Sequence, residues 1–344
     1  MRFRLFAAIF RAQVRWLAWM MSVMIEAIRD TIALFSGATR TKPEPTATTI
    51  LPRRGREQFA ARSYSNAAGL RSYKLFIPSK RSRGPPRTLV VMLHGCTQDP
   101  DDFAAGTRMN ELAERDGFLV VYPAQSVRAN AMRCWNWFDP NNQTRDRGES
   151  SLIAGIAREV ATEFRIDSRR IFVAGLSAGG AMAVIMGDTY PDVFAAVGVH
   201  SGVPYWGAKD LQTAFASISG IASNQALSDE PRSQTHFVPT IVFHGDRDAT
   251  VRIENGVKIV DHAVALSARL PNPLSKNVGE LASANGREFT MTSFSDSADK
   301  RIVEYWVVHG AGHAWSGGSP KGSYTDERGP DASEEMIRFF MQPR

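Results

Sequence analysis

The sequence predicts an α/β fold, a mostly parallel central sheet with helices on both faces. Three observations predict it. Candidate strands and helices alternate along most of the 344 residues, the pattern of repeated strand–helix–strand units. Residues 88–93 and 118–122 are continuous apolar runs, as expected of strands buried on both faces. The polar, chemistry-bearing clusters fall just past strand ends, and open sheets of this kind bind ligands outside the carboxyl ends of their strands.

Residues 1–36 read as an amphipathic helical leader. Arg4, Arg11, Arg15, Ser22, Glu26 and Arg29 recur at about helical spacing among Phe6, Ile9, Trp16, Leu17, Trp19 and Ile25, which gives a narrow polar stripe on a wide apolar face. Charges interrupt the apolar run before it reaches a membrane-spanning length. Residues 5–10 are too short for a signal-peptide core, and no clean cleavage site follows. A membrane or polymer surface, another subunit or the body of the protein would each suit such a helix. Residues 37–64, rich in Thr, Pro, Gly and Arg, read as a linker, and residues 65–344 as one catalytic-sized domain. Residues 1–90 carry 17 Lys and Arg against 4 Asp and Glu, and the remainder 24 against 31. The leader is therefore basic and the body mildly acidic. The basic end suits an anionic surface, but no nucleic-acid motif accompanies it.

Further along, residues 71–78 alternate like a half-exposed strand, and a helix is expected from about 99–102 to 115. The polar stretch 124–150 is long for a loop in a compact domain, and such loops tend to be functional. A helix follows over 151–164, a strand over 171–174, another over 193–199, and a helical excursion over 203–237. Strand 239–243, helix 253–268, a strand pair at 288–294 and 302–308, and helix 331–341 complete the domain.

The strand at 171–174 runs into Gly175-Leu176-Ser177-Ala178-Gly179-Gly180 and then an apolar helix. Strand, sharp turn and helix around Gly-x-Ser-x-Gly is the context of a nucleophile elbow. Serine needs a base beside it to act as a nucleophile, and the base needs an orienting carboxylate. In this architecture they follow in the order Ser, acid, His. Ser177, Asp248 and His313 fit that order. Asp248 is preferred to Asp246, which is read as a turn residue or one backing the site. His313, in a Gly-rich stretch, is preferred to His94, His200, His244 and His309. Two backbone amides should hold the developing oxyanion. Ala178, next to the serine, and Cys96, in the loop after His94-Gly95, are the expected donors. Thr97 and Gln98 either line or brace that loop or cap the helix that follows. Loop aromatics suggest a substrate groove, with Gln98, Trp137 and Trp315 as lining residues. Cys96 and Cys134 are either two thiols or one disulfide joining two site-forming loops. No Cys/His spacing points to a metal.

Together, His94-Gly95-Cys96-Thr97-Gln98, Cys134-Trp135-Asn136-Trp137-Phe138, the serine elbow and Gly312-His313-Ala314-Trp315 resemble the poly(3-hydroxybutyrate) depolymerase family of esterases, which includes feruloyl and acetylxylan esterases. The resemblance covers roughly residues 65–343. It implies an α/β-hydrolase fold, a Ser-Asp-His triad and ester hydrolysis with no cofactor, on a polyester, its oligomers or smaller esters. The alternatives are a feruloyl or acetylxylan esterase and a non-catalytic surface-binding protein. Family members are commonly secreted, which implies an extracellular or cell-envelope setting; the weak leader also admits a cytoplasmic one.

Overall fold

The structure, a computed structural model, describes residues 58–79, 87–220, 237–267, 272–279 and 281–342. The leader expected over 1–36 lies outside them, as do residues 37–57 of the linker and 221–236 of the excursion. In chain order the strands are β1 (Gln58–Asn66), β2 (Gly69–Ile77), β3 (Arg87–Leu93), β4 (Leu119–Pro123), β5 (Ile166–Leu176), β6 (Ala196–His200), β7 (Thr240–Gly245), β8 (Ser275–Val278), β9 (Ala282–Ala284), β10 (Arg287–Ser295), β11 (Arg301–Val308), β12 (Trp315–Ser316) and β13 (Thr325–Asp326). The helices are α1 (Pro100–Thr107), α2 (Met109–Asp116), α3 (Gly148–Phe164), α4 (Ala178–Thr189), α5 (Leu211–Ile218), α6 (Glu254–Ser267) and α7 (Ala332–Phe340).

The sheet runs β1-β2-β4-β3-β5-β6-β7-β11-β10-β8, with β9 also on β10. Its six central strands, β4 to β11 in that order, are parallel. Both edges are antiparallel. The apolar run of β3 explains its central place. Leu89, Val91 and Leu93 enter the core shared with α3, α4 and α6, while Val90 and Met92 point to the opposite face, against α1, α2 and α7. Side chains alternate across a strand, so a strand covered on both faces must be apolar at every position. Helix α4 is buried nearly all round, which is why it carries no polar stripe.

From β3 the chain turns to one side to form β4, then crosses back to place β5 on the other side of β3. The crevice between the carboxyl ends of β3 and β5 is therefore a topological switch point, where ligands bind in such sheets.

Three sequence expectations need correction. The linker expected over 37–64 ends early, because residues 58–64 belong to edge strand β1, paired with β2 along its whole length. That strand already shows the half-buried alternation of a sheet edge. The single helix expected to reach 115 is two helices. Arg108 breaks it at φ +54°, held there by hydrogen bonds to Gly317 O and Asp331. The pairing of residues 288–294 with 302–308 holds, but two short strands, β8 and β9, each pair with β10 and extend that edge. Among the described residues no helix is long and apolar enough to cross a membrane.

Candidate active site

Ser177 stands between β5 and α4 with φ +56° and ψ −120°, a region that residues with a Cβ rarely occupy and that recurs at functional turns. What holds it there is close backbone packing. A Cβ on Gly175 would lie 2.3 Å from Gly179 O, and one on Gly179 2.0 Å from Leu93 O. Both obstacles are main chain, so neither can move aside cheaply. The Ser177 N–H donates to His200 O at 2.9 Å, tying the turn to β6. Gly179→Ala is accordingly expected to destabilise the fold by about 3 kcal/mol or more, the upper range for overpacking, read as a drop in the urea unfolding midpoint.

The β3 loop lies directly on this turn. A Cβ on Gly95 would be 3.5 Å from the Ser177 Cβ. Most amides of the loop are occupied. Gly95 N–H donates to Gln98 Oε1 at 2.9 Å, Thr97 N–H to Met132 O at 2.6 Å and Gln98 N–H to Gly95 O at 3.4 Å. The Cys96 N–H has no partner among the described residues. Ala178 opens α4, so its N–H has no intrahelical partner either. Two donors thus remain beside the serine, one at a positive helix end.

The other expected partners come from the neighbouring strand ends. Asp248 follows β7 and His313 follows β11. His313 Nδ1 donates to Asp248 Oδ2 at 2.7 Å. Asp248 Oδ1 accepts from Thr250 N and Val251 N, both at 2.9 Å. The carboxylate is fully buried. Burial alone would raise its pKa, but the hydrogen bond and charge of His313, then Val251 N–H and His244, hold it below the ordinary carboxylate range. His200, at the end of intervening strand β6, lies within electrostatic reach of both His313 and Asp248. Among the described residues Ser177 Oγ makes no hydrogen bond; such contacts commonly tighten only when substrate is bound.

The remaining histidines have other partners. His94 Nδ1 donates to Gly95 O at 2.8 Å, and its Nε2 accepts from Gln125 N at 3.1 Å. His200 Nε2 accepts from Ser316 N at 3.1 Å, and its ring stacks with Phe243 and Trp315. His244 Nε2 donates to Val251 O at 2.8 Å. Burial pushes His94 down to about 4 and His200 to about 3, the latter with help from His244 and His313. Both stay neutral in the folded protein while the unfolded chain takes up protons near pH 6.5. Their contribution to stability is therefore complete above about pH 6.5 and is lost as pH falls toward 4 and then 3. The unfolding free energy from urea titration at pH 4.5 is expected to lie below that at pH 7.5, by on the order of 2 kcal/mol per histidine, with a lower midpoint. An unchanged midpoint would mean that both rings protonate freely in the fold.

The three expected lining residues are all buried. Trp315 is fully buried. Its ring meets Phe103 edge-on at 5.5 Å and stacks on His200 at 5.4 Å, and its Nε1 donates to Ser333 Oγ. Trp137 is buried in the larger core, edge-on to Phe138. Gln98 is a brace: besides holding Gly95 N–H, its Nε2 donates to Asp102 Oδ2 at 2.9 Å and Ser323 O at 3.0 Å. Asp102 Oδ1 in turn accepts from Ser323 N at 2.8 Å. What faces solvent at this loop is Thr97, with Tyr324 hydrogen-bonded to it at 3.2 Å and 46% exposed. Nothing in the sequence links residues so far apart.

Cys96 and Cys134 form a disulfide, with Cα atoms 4.1 Å apart. It fastens the 124–150 loop to the loop bearing the Cys96 N–H. The sequence also gave no sign of Glu149, the buried hub of that second loop. Its carboxylate accepts from Asn136 N (2.8 Å), Gln125 Nε2 (2.5 Å) and Arg71 Nη2 (3.4 Å). Gln125 passes the connection on to Cys134 O and, through its amide, to His94. Among the described residues no cluster of three or more His, Cys, Asp or Glu is placed to hold a metal.

Known proteins agree with this architecture. Poly(3-hydroxyalkanoate) depolymerase C of Paucimonas lemoignei is 32% identical over 257 residues, 72% of this chain and 59% of that protein. Feruloyl esterase B of Neurospora crassa is 34% identical over 142 residues, 41% of this chain and 47% of that protein. The chain thus spans between about half and three fifths of these two relatives. An acetyl xylan esterase structure from Aspergillus awamori superposes with a TM-score of 0.64 at 19% identity, covering 82% of this chain and 98% of that one; it shares the α/β-hydrolase fold. The model of the esterase PHB depolymerase family matches residues 71–282, which include Ser177 and Asp248 and stop short of His313. With more than half of its length matched, the chain belongs to the PHB depolymerase family of esterases.

Proposed function

We propose that the chain is a serine carboxylic ester hydrolase acting on hydroxyalkanoate polyesters or their oligomers. The observation that carries this reading is the buried Asp248–His313 pair, set two and three strands from a strained serine that has two unpaired amides beside it. Ser177 Oγ attacks the ester carbonyl while His313 Nε2 takes its proton, and buried Asp248 steadies the imidazolium. The Ala178 and Cys96 amides receive the oxyanion. His313 then gives its proton to the departing alcohol, leaving an acyl group on Ser177. Water, deprotonated by the same histidine, attacks the acyl carbonyl and restores the serine. Every step uses side chains and amides of the chain itself.

The depolymerase relative supports the polyester class. A feruloyl or acetylxylan ester is the second reading, because relatives bearing those names also match this chain. Product analysis separates them. Incubation with amorphous poly(3-hydroxybutyrate) is expected to release soluble 3-hydroxybutyrate esters. Release of ferulate or acetate from substituted xylan, with none from the polymer, would overturn the polyester assignment. A fluorophosphonate probe that leaves Ser177 unlabelled would overturn the serine mechanism and favour a non-catalytic binding protein.

A further inference from the structure

Two Asp–His pairs, not one, join the β7–α6 loop to the loop after β11. The inner pair is Asp248–His313. The outer pair is Asp246–His309, which the reaction above does not use. His309 Nδ1 donates to Asp246 Oδ2 at 3.0 Å, and Gly310 N–H donates to Asp246 Oδ1 at 2.7 Å. His309 Nε2 accepts from Thr290 Oγ1 at 2.9 Å, so both ring nitrogens are occupied and the ring is fixed from β10 as well. Main-chain bonds run alongside. Asp246 N–H donates to Val308 O at 3.2 Å, Arg247 N–H to Ala311 O at 3.0 Å, and His309 N–H to Glu288 O at 2.8 Å. The loops touch so closely that a Cβ on Gly245 would lie 2.4 Å from Ala311 O.

We infer that Asp246 and His309 are positioning residues, a clamp that sets the loop bearing His313 against the loop bearing Asp248. The inference rests on the serine-esterase reading and adds to it the origin of the triad's alignment. The clamp seizes residues 309 and 310, at the root of a Gly-Ala-Gly segment that leads to His313. Ala311 packs into the core, but the glycines on either side of it have no side chain to fix the path. Both clamp side chains are about one third exposed, whereas Asp248 is wholly buried. A partly exposed hydrogen bond adds little to global stability, but a displacement of about 1 Å in a catalytic group can lower a rate by about a hundredfold. The clamp should therefore register in turnover rather than in folding.

The test compares the full-length parent chain with Asp246→Ala, Asp246→Asn and His309→Gln on a short-chain p-nitrophenyl ester. Asp246→Ala is expected to lower kcat by about 10- to 100-fold, with KM within about twofold, an unchanged urea midpoint, and a parallel slowing of fluorophosphonate labelling. Asp246→Asn keeps an oxygen for the Gly310 N–H and should recover part of the rate. His309→Gln should fall between them, and a double variant should be no worse than Asp246→Ala alone. Parent-like kcat in Asp246→Ala would overturn the clamp, as would a loss carried by KM, or a fall in the urea midpoint large enough to account for the lost rate. A parent chain that neither turns over ester nor labels at Ser177 would overturn the esterase reading itself.

Discussion

Replacing Ser177 by Ala is expected to lower kcat for a short-chain p-nitrophenyl ester by about a millionfold, the scale set by removal of a serine nucleophile elsewhere. At about 1.36 kcal/mol per decade this is about 8 kcal/mol of transition-state stabilisation. The fold should not register the change. Ser177 Oγ holds no hydrogen bond among the described residues, the backbone anchor to His200 O is the main-chain N–H, and alanine inherits the same φ. Steady-state kinetics beside a urea unfolding curve decide the matter: a variant that keeps a tenth of parental activity while folded would remove Ser177 from the mechanism.

Asp248→Asn is the second large effect, about ten thousandfold in kcat by comparison with the same change in a well-characterised triad. The reason lies in the hydrogen bonds. Oδ1 already accepts from Thr250 and Val251 amides, so the new amide nitrogen must face His313 Nδ1. That nitrogen can only donate, which forces His313 Nδ1 to accept and moves the ring proton to Nε2. The nitrogen that should take the serine proton is then already occupied. Lost with it is the buried negative charge opposite the imidazolium. If Asp248→Asn retains near-parental kcat while Asp246→Asn is crippled, the acid is Asp246 and the assignments of the two pairs exchange.

Much of this was legible because it was written locally. Continuous apolar runs at β3 and β4 and an apolar helix after the elbow each report burial through neighbouring residues alone. The chain order of serine, aspartate and histidine is likewise a property of the sequence. What escaped reading depends on partners far along the chain. Loop aromatics suggested a groove, but Trp315 is buried because Phe103, His200 and Ser333 converge on it. Arg108 interrupts a helix that residues 99–115 favour, because Gly317 and Asp331 capture its side chain. Glu149 looks like any acidic residue at the start of a helix until the loop at 125–136 folds over it. Asp246 reads in sequence as a turn residue or one backing the site, but its carboxylate reaches across to His309 and Gly310 on another loop, a pairing the spacing does not show.

The disulfide between Cys96 and Cys134 closes a ring across a sequence separation of 38 residues. That ring contains α1, α2 and β4, so the whole first crossover of the parallel sheet is tethered at both ends. On the chain-entropy account a closure of this length removes roughly 4 kcal/mol of freedom from the unfolded ensemble. A bond sited in the oxyanion loop thus exerts its thermodynamic effect chiefly on a state in which no oxyanion loop exists, and the turn that would receive the substrate's charge is also where the denatured chain is most restricted.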